Sequence, residues 1–132
     1  TSAYKHFRAT AGYFLCPSEV EGYGHYINEG RIAHAVAITT DHAPMNELIT
    51  DSGSLLDVAK TTKFGKAYPF VKYLYNPNYP IAEFDTKDFV TKFAKLLTLS
   101  VGEKRDIGKK NYIEYSKDSA FFEKTINAVF TL

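Results

Sequence analysis

The pattern of apolar and polar positions divides the chain into a first half of short buried runs and a second half with helical periodicity. Tyr13-Phe14-Leu15-Cys16 is a continuous apolar run stopped by Pro17, the mark of a strand buried on both faces. A glycine-containing turn follows, and residues 25–34 suit a helix in which Gly30 and Ala33 allow close packing. Residues 35–40, Ala-Val-Ala-Ile-Thr-Thr, read as a second buried strand. Strand, turn, helix and strand together predict a right-handed βαβ unit. A helical turn is expected at 45–49, a further turn at 51–54 and a third short strand at 54–58. Residues 60–83 mix aromatics with Pro69, Pro77 and Pro80, which predicts an ordered excursion containing a β-hairpin. Three helices close the chain. The first opens at Asp85 or Thr86 and repeats Phe89, Phe93, Leu96 and Leu97; the second spans 100–116, with Ile107, Tyr112 and Ile113 inward; the third spans 119–129, with Phe122, Ile126 and Val129 in phase. A helix is also expected over 2–11, ended by Gly12.

This is an α/β pattern: a Rossmann-like, three-layer parallel sheet followed by C-terminal helices, in a single domain over 1–132. Composition changes the picture little. The 132 residues are 45% hydrophobic and 23% charged, with a formal net charge of +1, so no strong field draws the chain to nucleic acid or an anionic membrane. No apolar run is long enough to span a bilayer, and no signal peptide is visible at the start. The lone Cys16 has no internal partner for a disulfide, which fits a reducing compartment. The expected location is the cytoplasm, with a peripheral place at a membrane left open. The chain opens at Thr1 rather than Met, as a processed product or a piece of something longer would.

The chemistry concentrates in Pro17-Ser18-Glu19-Val20-Glu21-Gly22-Tyr23-Gly24-His25-Tyr26-Ile27-Asn28-Glu29. A turn between a buried parallel strand and a helix lies where open α/β sheets bind ligands. The helix start offers unpaired amides and partial positive charge, which suit phosphate. Gly22 and Gly24 allow close backbone approach, so that Gly24, His25 and Tyr26 could present amides to it. Glu21 and Glu29, poor neighbours for phosphate, are good acceptors from sugar hydroxyls. The third glycine of a dinucleotide fingerprint is missing, with Ile27 in its place. A tight turn carrying two solvated glutamates accounts for the spacing equally well.

The order of these residues resembles the GT-B glycosyltransferases of group 1, or family 4. Their Glu-x7-Glu motif is matched by Pro17-Ser18, Glu21-Gly22-Tyr23-Gly24 and Glu29. Thr39-Thr40, Pro44-Met45-Asn46-Glu47 and Asp51-Ser52-Gly53 continue the likeness, which is weak over 60–83. The resemblance implies a transferase that moves a sugar from a nucleotide diphosphate sugar to an acceptor with retention, in carbohydrate biosynthesis. It implies that Glu29 meets the ribose and that Glu21 is the catalytic-side group at the donor sugar. Gly22, Tyr23, Gly24, His25 and Tyr26 then hold sugar and diphosphate. No cofactor and no metal are expected. His25 and Tyr26 depart from the residues usual in the family. The family's N-terminal acceptor domain and the first half of its donor domain have no counterpart here, so an N-terminal domain or a second chain is the expected partner. A non-catalytic nucleotide-binding or assembly chain of the same fold is the alternative.

Other constellations are weaker. His25 and Glu29 have i, i+4 spacing but no third ligand, and Ser18, His25 and Asp41 lack a nucleophile elbow. Cys16 sits among apolar neighbours, as a buried thiol would. Lys104-Arg105 and Lys109-Lys110 read as a solvated helix face. The aromatics of 60–83 read first as local core and second as an acceptor platform.

Overall fold

A computed structural model describes residues 2, 3, 6, 12–70 and 76–131. Residues 2, 3 and 6 are helical, and the rest of the helix expected over 2–11 lies outside the described residues.

Strand β1 (Tyr13–Cys16), helix α1 (His25–Ile32) and strand β2 (Val36–Thr40) form the expected βαβ unit. The strands are parallel, with Tyr13 opposite Val36 and Cys16 opposite Thr39. β2 is buried along its whole length, because β3 (Leu55–Leu56) pairs with its other edge, again parallel. The three-stranded order is β1-β2-β3.

Alternation along β2 splits the core in two. Ala37 joins Cys16, Ile27, Met45 and Ile49 under α1 and the short α2 (Met45–Leu48). Val36 and Ile38 point to the other face, where Leu56 and Leu96 pack with Phe89, Phe93 and Ile107. Helical residues therefore cover both faces, as a parallel sheet requires. The fold is mixed α/β with C-terminal helices, compatible with a Rossmann-like arrangement.

The expected third strand is shorter than residues 54–58. It stops at Leu56, and Val58 already belongs to β4 (Val58–Lys63), which pairs antiparallel with β5 (Pro80–Phe84). The reason is Asp57: its amide donates to Asp88 Oδ2 at 2.8 Å and its carbonyl accepts from the Asp85 amide at 2.7 Å. Those bonds leave the parallel ladder and start a separate two-stranded ribbon. The hairpin expected within 60–83 is this ribbon, with α3 (Phe64–Ala67) at the end of its first strand.

Asp85 caps α4 (Thr86–Thr98), accepting from the amides of Lys87 and Asp88. Such a cap is worth about 1 kcal/mol. Phe89, Phe93 and Leu96 face the sheet as their spacing predicts, whereas Leu97 is exposed.

The two last helices are one. α5 runs from Val101 to Phe130, opened by a capping box between Ser100 and Glu103. Nothing between 116 and 119 breaks it: Ser116 bonds its own helix, its Oγ donating to the Tyr112 carbonyl at 2.9 Å. Its inner face is also not the expected one. Ile107 packs on the core, but Ile113 is exposed and Tyr112 only stacks on the His34 ring at 4.2 Å. The buried positions are Gly108 and Asn111. A Cβ on Gly108 would stand 1.8 Å from the His34 carbonyl oxygen, so glycine lets the helix touch the turn before β2. Asn111 Nδ2 donates to the Ala35 carbonyl at 3.0 Å. Phe122, Ile126 and Val129 are in helical phase but exposed.

Among the described residues, no helix is long and apolar enough to cross a membrane.

Candidate functional site

The loop after β1, the loop after β2 and the end of β3 meet at the C-terminal edge of the parallel sheet. Thr40 Oγ1 donates to the Ser18 carbonyl at 2.6 Å, and the Asp41 amide donates to the Leu56 carbonyl at 2.8 Å. These bonds fix the Pro17–Gly24 loop over the ends of the strands, at the position where open α/β sheets take ligands.

Gly24 is the N-cap of α1 and has φ +71°, a left-handed conformation. A Cβ there would also lie 2.5 Å from Leu48 Cδ1. Glycine is demanded twice, by dihedral and by space. Gly24 has no side chain with which to cap the first amides of α1, and the first turn of the helix carries no acidic residue. The helix start thus keeps its partial positive charge uncompensated by its own turn. His25 and Tyr26 occupy the first two helical positions, and both are exposed. The His25 ring lies 5.0 Å from that of Tyr23. Gly22 has open space around its Cα and no positive φ, so nothing in the fold itself requires glycine there.

Glu21 is braced from two sides. Ser18 Oγ donates to its Oε1 at 2.7 Å. Partial burial lifts the Tyr26 phenol well above its ordinary pKa, and a hydrogen bond to Glu21 adds to the rise. The phenol therefore stays protonated and remains a donor to the carboxylate. Cys16 is 1% exposed; burial, and then the nearby Glu21 charge, push its thiol up to about 12. It is an inert core thiol, as its apolar neighbours predict. Glu29 sits on α1 one turn beyond His25, partly buried.

Two cavities adjoin the turn, and Gly22 and Pro44 border both. The first holds about 650 Å³ and is lined by Val20 and Glu21 of the glycine loop and by Phe64, Asn76 and Tyr79 of the hairpin excursion. The second holds about 310 Å³ and lies toward α5, bounded by Tyr23, Arg31, Glu47, Tyr115, Asp118 and others.

Arg31 was not singled out by the sequence. Only 1% exposed, it donates to Asn28 Oδ1 at 2.8 Å and pairs with Asp118 Oδ2 at 2.5 Å. Its guanidinium also lies 5.6 Å from the centre of the Tyr115 ring. Asn28 in turn donates to the Tyr23 carbonyl at 3.2 Å, tying the glycine turn to the arginine. No local pattern gives this away, because Arg31 and Asp118 stand 87 positions apart. Among the described residues lining the two cavities, Arg31 is the only lysine or arginine.

The structure thus brings Glu21, Gly22, Tyr23, Gly24, His25 and Tyr26 into one turn, with Glu29 one helical turn beyond. It adds Ser18, Phe64, Asn76 and Tyr79. Among the described residues, no group of three or more metal-ligating side chains comes together. Compared with models of protein families, with curated proteins and with solved structures, the chain matches none.

Proposed function

We propose that this chain is the donor-binding part of a GT-B glycosyltransferase, which moves a sugar from a nucleotide diphosphate sugar to an acceptor with retention of configuration. The observation that carries the reading is the turn itself. An uncapped helix start, opened by a left-handed glycine at the C-terminal edge of a parallel sheet, stands between two carboxylates with the Glu-x7-Glu spacing.

Each part has a role in this reading. The amides of Gly24, His25 and Tyr26 hold the diphosphate. Glu29 accepts from the ribose hydroxyls. Glu21, fixed by Ser18 and Tyr26, accepts from the hydroxyls of the donor sugar. Transfer breaks the bond between the anomeric carbon and the diphosphate oxygen, and forms one to the acceptor oxygen. The negative charge that grows on the leaving diphosphate is met by the helix start. An N-terminal domain or second chain supplies the acceptor side, in the cytoplasm.

A second reading, a non-catalytic nucleotide-binding or assembly chain, draws on one observation. Arg31, the cation at the cavities, is committed to Asp118 and Asn28 and so is poorly placed to meet a diphosphate.

Calorimetric titration of UDP, GDP and ADP into the chain tests the proposal. One nucleotide saturates, and Glu29→Ala weakens it at least about tenfold, the equivalent of 1.4 kcal/mol. Binding by none of the three overturns the donor-site reading. Binding without turnover of any matching sugar nucleotide, in the presence of the partner domain, selects the second reading.

A further inference from the structure

We propose that the segment joining β4 to β5 docks on a membrane surface that carries anionic lipid, with Phe70 entering the headgroup layer and Lys63 and Lys66 meeting its charges. The proposal stands apart from the donor-site reading and needs no nucleotide.

The net charge of +1 hides a local asymmetry. Between residues 58 and 82 the sequence has four lysines and neither aspartate nor glutamate. The rest of the chain has twelve basic and fifteen acidic residues, so the two parts stand at +4 and −3. The same stretch holds six aromatic residues. Such an excess acts over about a Debye length, roughly 8 Å at physiological salt, so a surface in contact feels it although the chain as a whole is nearly neutral.

The fold answers little of that charge. Lys60 approaches Glu83 at 3.8 Å, a loose and exposed pair of small consequence. Lys63 Nζ donates to a neutral group, Asn78 Oδ1, at 3.4 Å. Lys66 lies exposed in the last turn of α3. Among the described residues neither Lys63 nor Lys66 is in an ion pair. Phe70 is 95% exposed, and Tyr68 and Tyr79 keep more than a third of their surface in water. One exposed phenylalanine needs no explanation by itself. Beside unanswered lysines and exposed tyrosines it matches what a membrane interface selects: aromatic rings at the headgroup level and cations against anionic lipid.

The segment is also preformed. The Phe64 amide donates to the Tyr79 carbonyl at 2.8 Å, the Gly65 amide to the Pro77 carbonyl at 2.9 Å and the Tyr68 amide to the Phe64 carbonyl at 2.8 Å. A Cβ on Gly65 would come within 2.7 Å of Pro77, so the two arms touch. The Tyr68 hydroxyl donates to Glu19 Oε2 at 2.5 Å, and the Ala82 amide to the Glu19 carbonyl at 2.9 Å, which fastens the segment to the glycine loop. Docking therefore orders little new chain and costs little entropy.

The other large apolar surface is the end of α5, where Phe121, Phe122 and Phe130 are exposed. There Lys117 and Lys124 stand with Asp118 and Glu123, so nothing favours a surface of one sign. Single-stranded nucleic acid also takes cations and aromatic rings. It favours arginine, whose planar fork grips phosphate and stacks on bases, and the segment has none.

The test is co-flotation of the full chain with phosphatidylcholine vesicles and with vesicles in which about a third of the lipid is phosphatidylserine. The proposal expects binding to the anionic vesicles at least about tenfold tighter than to the neutral ones, weakened by added salt. Lys63→Gln combined with Lys66→Gln should weaken it about tenfold. Phe70→Ser should weaken it about fivefold, and Phe70→Trp should keep it. Phe121→Ser, on α5, should change nothing. Each substituted side chain is exposed, so the variants keep the fold. Equal binding to both kinds of vesicle, binding to neither, or binding indifferent to the lysine and Phe70 variants overturns the proposal. So does loss of binding in Phe121→Ser, which moves the contact to α5. A single-stranded oligonucleotide that binds these residues more tightly than the anionic vesicles overturns it too.

Discussion

The two cavities share a wall and differ in everything that faces it. Gly22 and Pro44 border both. Beside the larger one stand aromatics and an amide from the segment that joins β4 to β5. Across the smaller one stands a buried arginine, paired with an aspartate of α5. The first has a braced carboxylate, Glu21, that keeps capacity to accept from a ligand. In the second the guanidinium is already paired with Asp118 and Asn28 through its two terminal nitrogens, while its buried Nε finds no partner among the described residues. The turn is thus a fixed centre, and the segments that return to it late in the chain decide what each side can do. The larger cavity reads as a place for a ligand, and the smaller as a joint between α1 and α5.

If that contrast holds, damage to the joint should cost stability and spare nucleotide binding. Gly108→Val should have the largest effect. The new side chain meets the His34 carbonyl, which has no room to give, so α5 must lift. A loss of about 3 kcal/mol or more is expected in urea unfolding. Arg31→Ala comes next. It removes a fully buried side chain and leaves the buried Asn28 Oδ1 without its donor, while Asp118, 58% exposed, is left in water, so lost packing and one lost hydrogen bond together cost about 3 kcal/mol. Arg31→Met should recover only the packing part of it, because apolar bulk refills the space while Asn28 Oδ1 stays without a donor. Neither Arg31 variant should change nucleotide affinity more than about twofold, within 0.4 kcal/mol.

Gly24→Ala belongs to the shared wall and should affect both properties. A left-handed alanine and the displaced Leu48 cost about 1–2 kcal/mol, and the shifted amides weaken nucleotide binding. A variant as stable as the parent with undiminished binding would contradict the demand for glycine at this position.

The smallest effect lies away from both cavities and serves as a control. Burial works against the charge of Asp88, but the Asp57 amide and Lys92 outweigh it and hold its carboxyl below the usual carboxylate range. Its folded pKa is therefore depressed. Its stabilising contribution is complete above the unfolded value, near pH 4, and is lost as pH falls through the folded value. Lys92 is shifted up by Asp57 and Asp88 in spite of burial, so its share persists until pH rises through that raised value. Asp88→Asn should cost about 1 kcal/mol or less at pH 7, should cost progressively less as pH falls through the depressed folded value, and should leave binding unchanged.

How much of this was written in the sequence follows from the range of the interactions. β1, β2 and the α4 cap are local: apolar runs, an Asp before a periodic segment. So they were legible, and so was the turn, because all its residues are consecutive. The end of β3 was not, since Asp57 leaves the ladder for partners near residue 88. The division of the last helix in two failed because Ser116 bonds back within its own helix, which no composition shift reveals. Its inner face was misplaced because the close approach depends on Gly108 and Asn111, and a periodicity of apolar residues does not register either. Arg31 was invisible for the same reason as the hairpin residues at the larger cavity. Their partners are brought to them by the fold, from 87 positions away in the case of Asp118. The role of the turn rests on its residues in order, a local property, and on the helix start that the structure places behind it.

The most direct test of the account is an amide-resolved NMR titration with UDP, GDP and ADP. The account predicts that one of them shifts the amides of Gly24, His25 and Tyr26 saturably, and that Glu29→Ala weakens that response. Shifts confined to other parts of the molecule, or none with any of the three, would contradict the claim that this turn is an anion-binding donor site.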